Sequence, residues 1–151
     1  MSVLVRAALL GLATGGRNSV GFAALALNAK PGSEPAWLDR PAVRIAAGVA
    51  AAGELVVDKL PATGSRLEPA SLAMRVLSGG WFGALLAQRT GQPAAGPVLA
   101  GAAGALAGSA LGSAWRAFAV RGGRPDRPAA LAEDVVVLGL AAFSTRRPAT
   151  R

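Results

Sequence analysis

Five apolar stretches, divided by short segments rich in proline, glycine and charge, organise the 151 residues. Their lengths and breaks predict helices over about 2–28, 41–60, 71–88, 94–118 and 128–144, followed by a basic tail over 145–151. From Ser2 to Asn28 the chain is apolar except for Arg6 and the interruption Thr14-Gly15-Gly16-Arg17-Asn18-Ser19. At about 1.5 Å per residue this stretch is long enough to cross a hydrocarbon core of about 30 Å with some tilt, and each half alone is too short. It therefore reads as one membrane span broken at Gly15-Gly16 near mid-membrane, with Asn18 and Ser19 able to cap the restarted half. A soluble helix-turn-helix is the plainer alternative.

Lys30 to Arg40 is a polar turn in which Trp37 is placed like an interfacial anchor, and Pro41 suits the first turn of the second helix. That helix carries Glu54 and Asp58 one turn apart on a common face and is stopped by Pro61. The third holds the charge-free run Val76–Ala87, with Gly79, Gly80 and Gly83 inside it. Glycines there would cost roughly 1 kcal/mol each against alanine in water, whereas in a bilayer they permit close helix contact. Thr90 to Trp115 is the longest charge-free stretch and carries Ala100, Gly104, Gly108 and Gly112 at a spacing of four, the small-xxx-small pattern of membrane helix packing. The last helix opens on Glu133-Asp134 and continues with Val135-Val136-Val137-Leu138.

Charged residues make up 16% of the chain, below the quarter usual for soluble domains, which favours a single all-α, polytopic transmembrane helical bundle with the lipid bilayer as its surroundings. The absence of histidine and cysteine excludes Ser-His-Asp hydrolases, cysteine proteases and the usual zinc sites, so no metal, cofactor or enzymatic activity is expected. The net charge of +8 comes from basic residues scattered between apolar segments without interleaved aromatics, which argues against nucleic acid as partner. No cleavable signal peptide is evident, and the N-terminus reads as retained in a multi-pass protein of the cell inner (plasma) membrane.

With five crossings, the loops at 61–70 and 119–127 would lie on the side where the chain begins. Lys and Arg are nearly balanced between the two sides, which leaves the orientation open and is also what an antiparallel dual-topology dimer would show. Glu54 and Glu133 fall roughly 8–10 Å below one surface, so Glu54, Asp58, Glu133 and Asp134 are expected to form one acidic layer. Lys59 would stand at its rim, and Arg17 would reach toward it from the broken span. Ionised groups at that depth cost about 2.5–3.5 kcal/mol each on insertion scales, so they should be paired or face water. The functional reading is a transport path lined by Arg17, Asn18, Ser19, Glu54, Asp58, Lys59, Glu133 and Asp134. The bland reading is salt bridges that only fix packing, with Asp58 and Lys59 as wetted interfacial groups.

The broken first span (Gly11 to Ser19), the segment Glu54-x-x-x-Asp58-Lys59-x-Pro61 and the pair Glu133-Asp134 resemble a family of small bacterial multi-pass membrane proteins known only as a domain of unknown function. The resemblance spans nearly the whole chain and implies a membrane location without naming a substrate. Two functions compete on the residues. One is a small transporter or channel-like protein moving an ion, proton or small polar solute. The other is a non-catalytic scaffold or accessory subunit, packing through Gly104, Gly108 and Gly112 in a homo-oligomer or against a partner membrane protein. An enzyme acting on lipids ranks below both.

Overall fold

The computed structural model describes residues 1–32, 35–57, 67–121 and 125–146, with the backbone alone at 126 and 127. The helices are α1 (Val3–Gly16), α2 (Asn18–Leu27), α3 (Pro41–Val57), α4 (Pro69–Thr90), α5 (Ala95–Ala119) and α6 (Asp126–Thr145), with a short 3-10 turn at Ala36–Asp39. No strand occurs among the described residues. The chain is thus an all-α bundle, and its described residues form six α-helices where the hydropathy pattern predicts five, because the first stretch divides. Among the described residues three helices are long and apolar enough to cross a membrane: α4, α5 and the Pro128–Thr145 part of α6.

The first 28 residues do not form one broken span. Arg6 Nε donates to Ser144 O at 2.7 Å, and Asn28 Nδ2 donates to Thr145 Oγ1 at 3.1 Å, so both ends of the segment meet the last turn of α6. Two helices of 14 and 10 residues laid end to end would separate those ends by roughly 35 Å. The segment is therefore a helical hairpin, and α2 returns along the path of α1. The reversal lies at Arg17, whose extended backbone (φ −139°, ψ 109°) separates the two helices, while Gly15 and Gly16 remain helical. The expected break at Gly15-Gly16 is thus displaced by one residue, and those glycines serve packing. At Gly15 a Cβ would collide with the backbone of Ala105 and Ser109; at Gly21 it would meet Thr14 Oγ1 and the Phe82 ring, which is how α2 lies so close to α1 and α4.

The hairpin corrects the topology. Met1 to Arg6 lies beside Thr90, Gln92 and Pro97, so the chain begins where α4 and α6 end and α5 starts. This is called the proximal end here. The ends of α3 and α5 and the starts of α4 and α6 belong to the opposite, distal end, whereas five crossings would set them on the side where the chain begins. The error follows from counting the hairpin as a crossing.

Close backbone approach holds the centre. A Cβ on Gly104 would fall on Ala8 O, and one on Gly108 would fall on Leu12 O; Gly101 in turn lies against Gly79 O of α4. The face of Gly104 and Gly108, expected to pack against another helix, is therefore filled by α1 of the same chain, and Gly112 is half-buried at the edge of a cleft. The third element of the bundle, α3, rests chiefly on α2 and buries only Ala47. At the proximal end Trp37 of the 3-10 turn stacks on Phe22 and Trp81, with centroids 6.1 Å apart in each pair. Outward faces are strongly apolar: Ile45, Leu77, Leu99 and Val135 are each 68–72% exposed. Scattered exposed apolar residues are ordinary in soluble proteins, but continuous apolar faces on four helices suit a lipid environment.

Candidate functional site at the hairpin tip

Reversing a helix inside a bundle leaves the last carbonyls of α1 and the first amides of α2 without intrahelical partners. The tip also sits well below the distal end. Its neighbours Arg75, Ser109 and Asp134 lie about 9, 15 and 12 Å along their helices from that end, counting from Pro69, Ala119 and Asp126. Those orphan groups must therefore be satisfied by side chains from other helices.

The amide end of α2 is met by a carboxylate from α3. Glu54 Oε1 accepts from Asn18 N at 2.7 Å, and Glu54 Oε2 accepts from Ser19 N at 2.6 Å and from Ser19 Oγ. This is an N-cap supplied in trans, with the negative charge placed against the positive end of the helix dipole. The carbonyl end of α1 is met by donors. Arg75 Nη1 donates to Gly15 O at 3.0 Å and to Thr14 O at 3.4 Å, Ser109 Oγ donates to Gly15 O at 3.3 Å, and Arg17 Nη1 donates to Gly16 O at 3.3 Å. Arg75 Nη2 also stands 3.8 Å from Glu54 Oε1, which ties the two helix ends together.

On the other flank of the tip, Arg17 is wholly buried and bonds Asp134 of α6, with Nε and Nη2 at 2.9 and 2.6 Å from Oδ1. Glu133, also buried, pairs with Arg116 of α5 at 3.6 Å and lies against Gly16. Within this cluster Arg17, Arg75 and Arg116 balance Glu54, Glu133 and Asp134. Asn18 Oδ1 is buried with no hydrogen-bond partner among the described residues, a costly arrangement unless something else visits it.

Of the eight residues expected to line a path, Arg17, Asn18, Ser19, Glu54, Glu133 and Asp134 converge on the tip, while Asp58 and Lys59 lie outside the described residues. The expected acidic layer is instead a layer of ion pairs, divided by the hairpin into a Glu54–Arg75 flank and an Arg17–Asp134 flank. Arg17 pairs with the last helix and leaves Glu54 to the α2 amides, Ser19 Oγ and Arg75. Sequence reasoning passed over Arg75, Ser109 and Arg116. Arg75 carried a usable signal, being the one charge inside an otherwise uncharged turn of the third helix; Ser109 carried none.

Among the described residues no group of three acids is placed to hold a metal. The arrangement can exchange partners among carboxylates, guanidinium groups and helix ends, and among the described residues nothing answers Asn18 Oδ1. Comparison with curated proteins gave no match, and comparison with solved structures gave none. The family described as a domain of unknown function (DUF4126) matches residues 4–150, and the chain belongs to that family.

Proposed function

We propose that the chain is a multi-pass protein of the cell inner (plasma) membrane that moves an ion, proton or small polar solute past the hairpin tip. In this reading α3, α4, α5 and α6 cross the bilayer, and α1 and α2 enter from the proximal side and return to it. The observation that carries the reading is the tip itself. Two helix ends are held at depth by Glu54, Arg75 and Asp134 from three other helices, beside the buried acceptor Asn18 Oδ1. Discontinuous helices whose ends face ionisable groups at membrane depth are the usual way transporters build a polar site in hydrocarbon.

The weakly packed α3 supplies the moving part. It rests mainly on α2, and Glu54, with the Ala50 carbonyl that accepts from Ser19 Oγ at 3.3 Å, ties it to the tip. Displacing Glu54, by protonation or by a competing partner for the α2 amides, would release α3 and open the tip toward the distal side. Glu54→Gln removes the charge while keeping one acceptor. In proteoliposomes this variant is expected to abolish pH- or ion-dependent flux while the protein remains monodisperse and helical. A wild-type protein that carries no flux across a panel of ions and protons would reject transport.

The scaffold reading is weaker, since Gly104 and Gly108 are already covered by α1. A homo-oligomer or partner complex would use the outward apolar faces of α3 and α6 instead.

A further inference from the structure

The Glu54 carboxylate sits in a cradle that other elements of the tip build for it. Its two oxygens are received separately, Oε1 by Asn18 N at 2.7 Å and Oε2 by Ser19 N at 2.6 Å, with Ser19 Oγ donating to the second. Consecutive amides at a helix start offer two adjacent donors to an anion, which a carboxylate fork matches and a spherical halide does not. Arg75 adds charge from the side, with Nη2 3.8 Å from Oε1. The occupant of this cradle is lightly anchored. Its own helix, α3, buries only Ala47, and the Glu54 side chain is 21% exposed, so a carboxylate from outside can reach the same donors.

Glu54 leaves one neighbouring group unanswered. Asn18 Oδ1, on the residue whose amide holds Oε1, is buried with no hydrogen-bond partner among the described residues. It requires a donor, and an ionised carboxylate has none. We propose that the tip is a site for a small monoanionic carboxylate that also carries a hydroxyl group. Its carboxylate takes the amides of Asn18 and Ser19, its hydroxyl donates to Asn18 Oδ1, and Glu54 is the tethered occupant that it displaces. Charge sets the valence. With Glu54 in place, the guanidinium groups of Arg17, Arg75 and Arg116 meet the carboxylates of Glu54, Glu133 and Asp134. With Glu54 swung out, one positive charge is in excess; a monoanion cancels it, a zwitterion leaves it and a cation adds to it. The inference names the solute class of the transport reading above and rests on that reading for passage across the bilayer, whereas binding at the tip is measured without flux.

Glu54→Ala empties the cradle, and acetate has the same atoms as the group removed. The test follows thermal unfolding of the full Glu54→Ala chain in detergent, at fixed pH and ionic strength, titrated with sodium glycolate, sodium acetate or sodium chloride. Glycolate should raise Tm saturably. Acetate should need about tenfold more, the factor that one hydrogen bond to a buried acceptor gives, and chloride should have no effect. Adding Asn18→Leu should bring glycolate down to the acetate response, because its hydroxyl loses the acceptor. Wild type should need more of either anion, since its own carboxylate competes from the tether. Equal responses to glycolate and acetate, or none to either, would overturn the proposal. Should Glu54→Ala fail to fold, equilibrium dialysis of labelled glycolate with wild type decides. Unlabelled glycolate should then displace the label at about a tenth of the acetate concentration, and no retention or equal displacement would overturn the site. Rescue by glycolate without glycolate flux in wild-type proteoliposomes would reject transport and keep the site, whereas ion flux with no rescue would reject the site alone.

Discussion

Removing the counter-ion of the hairpin tip by Asp134→Asn leaves the Arg17 guanidinium buried without its carboxylate. Arg17 has no exposed surface, and its Nη2 lies 2.6 Å from Asp134 Oδ1. At an effective dielectric constant of about 20 the direct attraction is about 6 kcal/mol, most of it offset in the native protein by the desolvation of both ions. Breaking one partner of such a pair removes the attraction and leaves the desolvation, a net loss of about 3–5 kcal/mol. For a chain of this size that corresponds to a fall in Tm of about 6–20 °C. The assay is thermal unfolding in detergent followed by circular dichroism, at constant pH and salt. The paired replacement Arg17→Met with Asp134→Leu removes both ions together and should recover much of the loss, because neither member of the pair is left buried without the other. The Arg17 bond to Gly16 O disappears in the double variant, so recovery should stop about 1 kcal/mol short of wild type. An Asp134→Asn protein within about 1 kcal/mol of wild type would refute the reasoning, as would a double variant no better than the single one.

Asn28→Cys combined with Thr145→Cys, in a chain with no cysteine of its own, should oxidise to an intrachain disulfide, because the native side chains touch at 3.1 Å. Absence of that crosslink on a denaturing gel would argue against the return of α2. Glycines should divide by sign. Gly104→Leu and Gly108→Leu drive side chains into Ala8 O and Leu12 O and should destabilise the fold by about 1–3 kcal/mol or more, while Gly139→Ala meets open space and should stabilise α6 by about 0.5–1 kcal/mol. Chemical or thermal unfolding of the three variants checks both directions.

Much of the helical layout is legible from hydropathy alone: Pro41 opens a helix as expected, and the helix expected over 71–88 runs two residues further at each end, from Pro69 to Thr90. Gly91 takes φ +61° after the last turn of α4, a conformation glycine adopts without steric cost. The hairpin was not legible. A 27-residue apolar stretch with one polar interruption has the same pattern whether the chain continues or reverses, and the deciding contacts come from Ser144 and Thr145, more than 110 residues away. The site was half legible for a related reason. Depth singled out Arg17, Glu54, Glu133 and Asp134, since charges in apolar segments need partners. Which acid answers which base depends on the reversal, so Glu54 and Arg17 could not be assigned before it was known. Arg75 was overlooked because an arginine six residues inside a helix resembles an interfacial residue until the orphan carbonyls of α1 are placed above it.

The central claim is that the first 28 residues enter and leave the bundle at the same end. Single cysteines at Ser2, Arg40 and Leu67, introduced one at a time and probed with a membrane-impermeant maleimide in oriented vesicles, test it directly. The account predicts that Ser2→Cys and Arg40→Cys label from one side of the membrane and Leu67→Cys from the other. Labelling of Ser2→Cys and Arg40→Cys from opposite sides would contradict it.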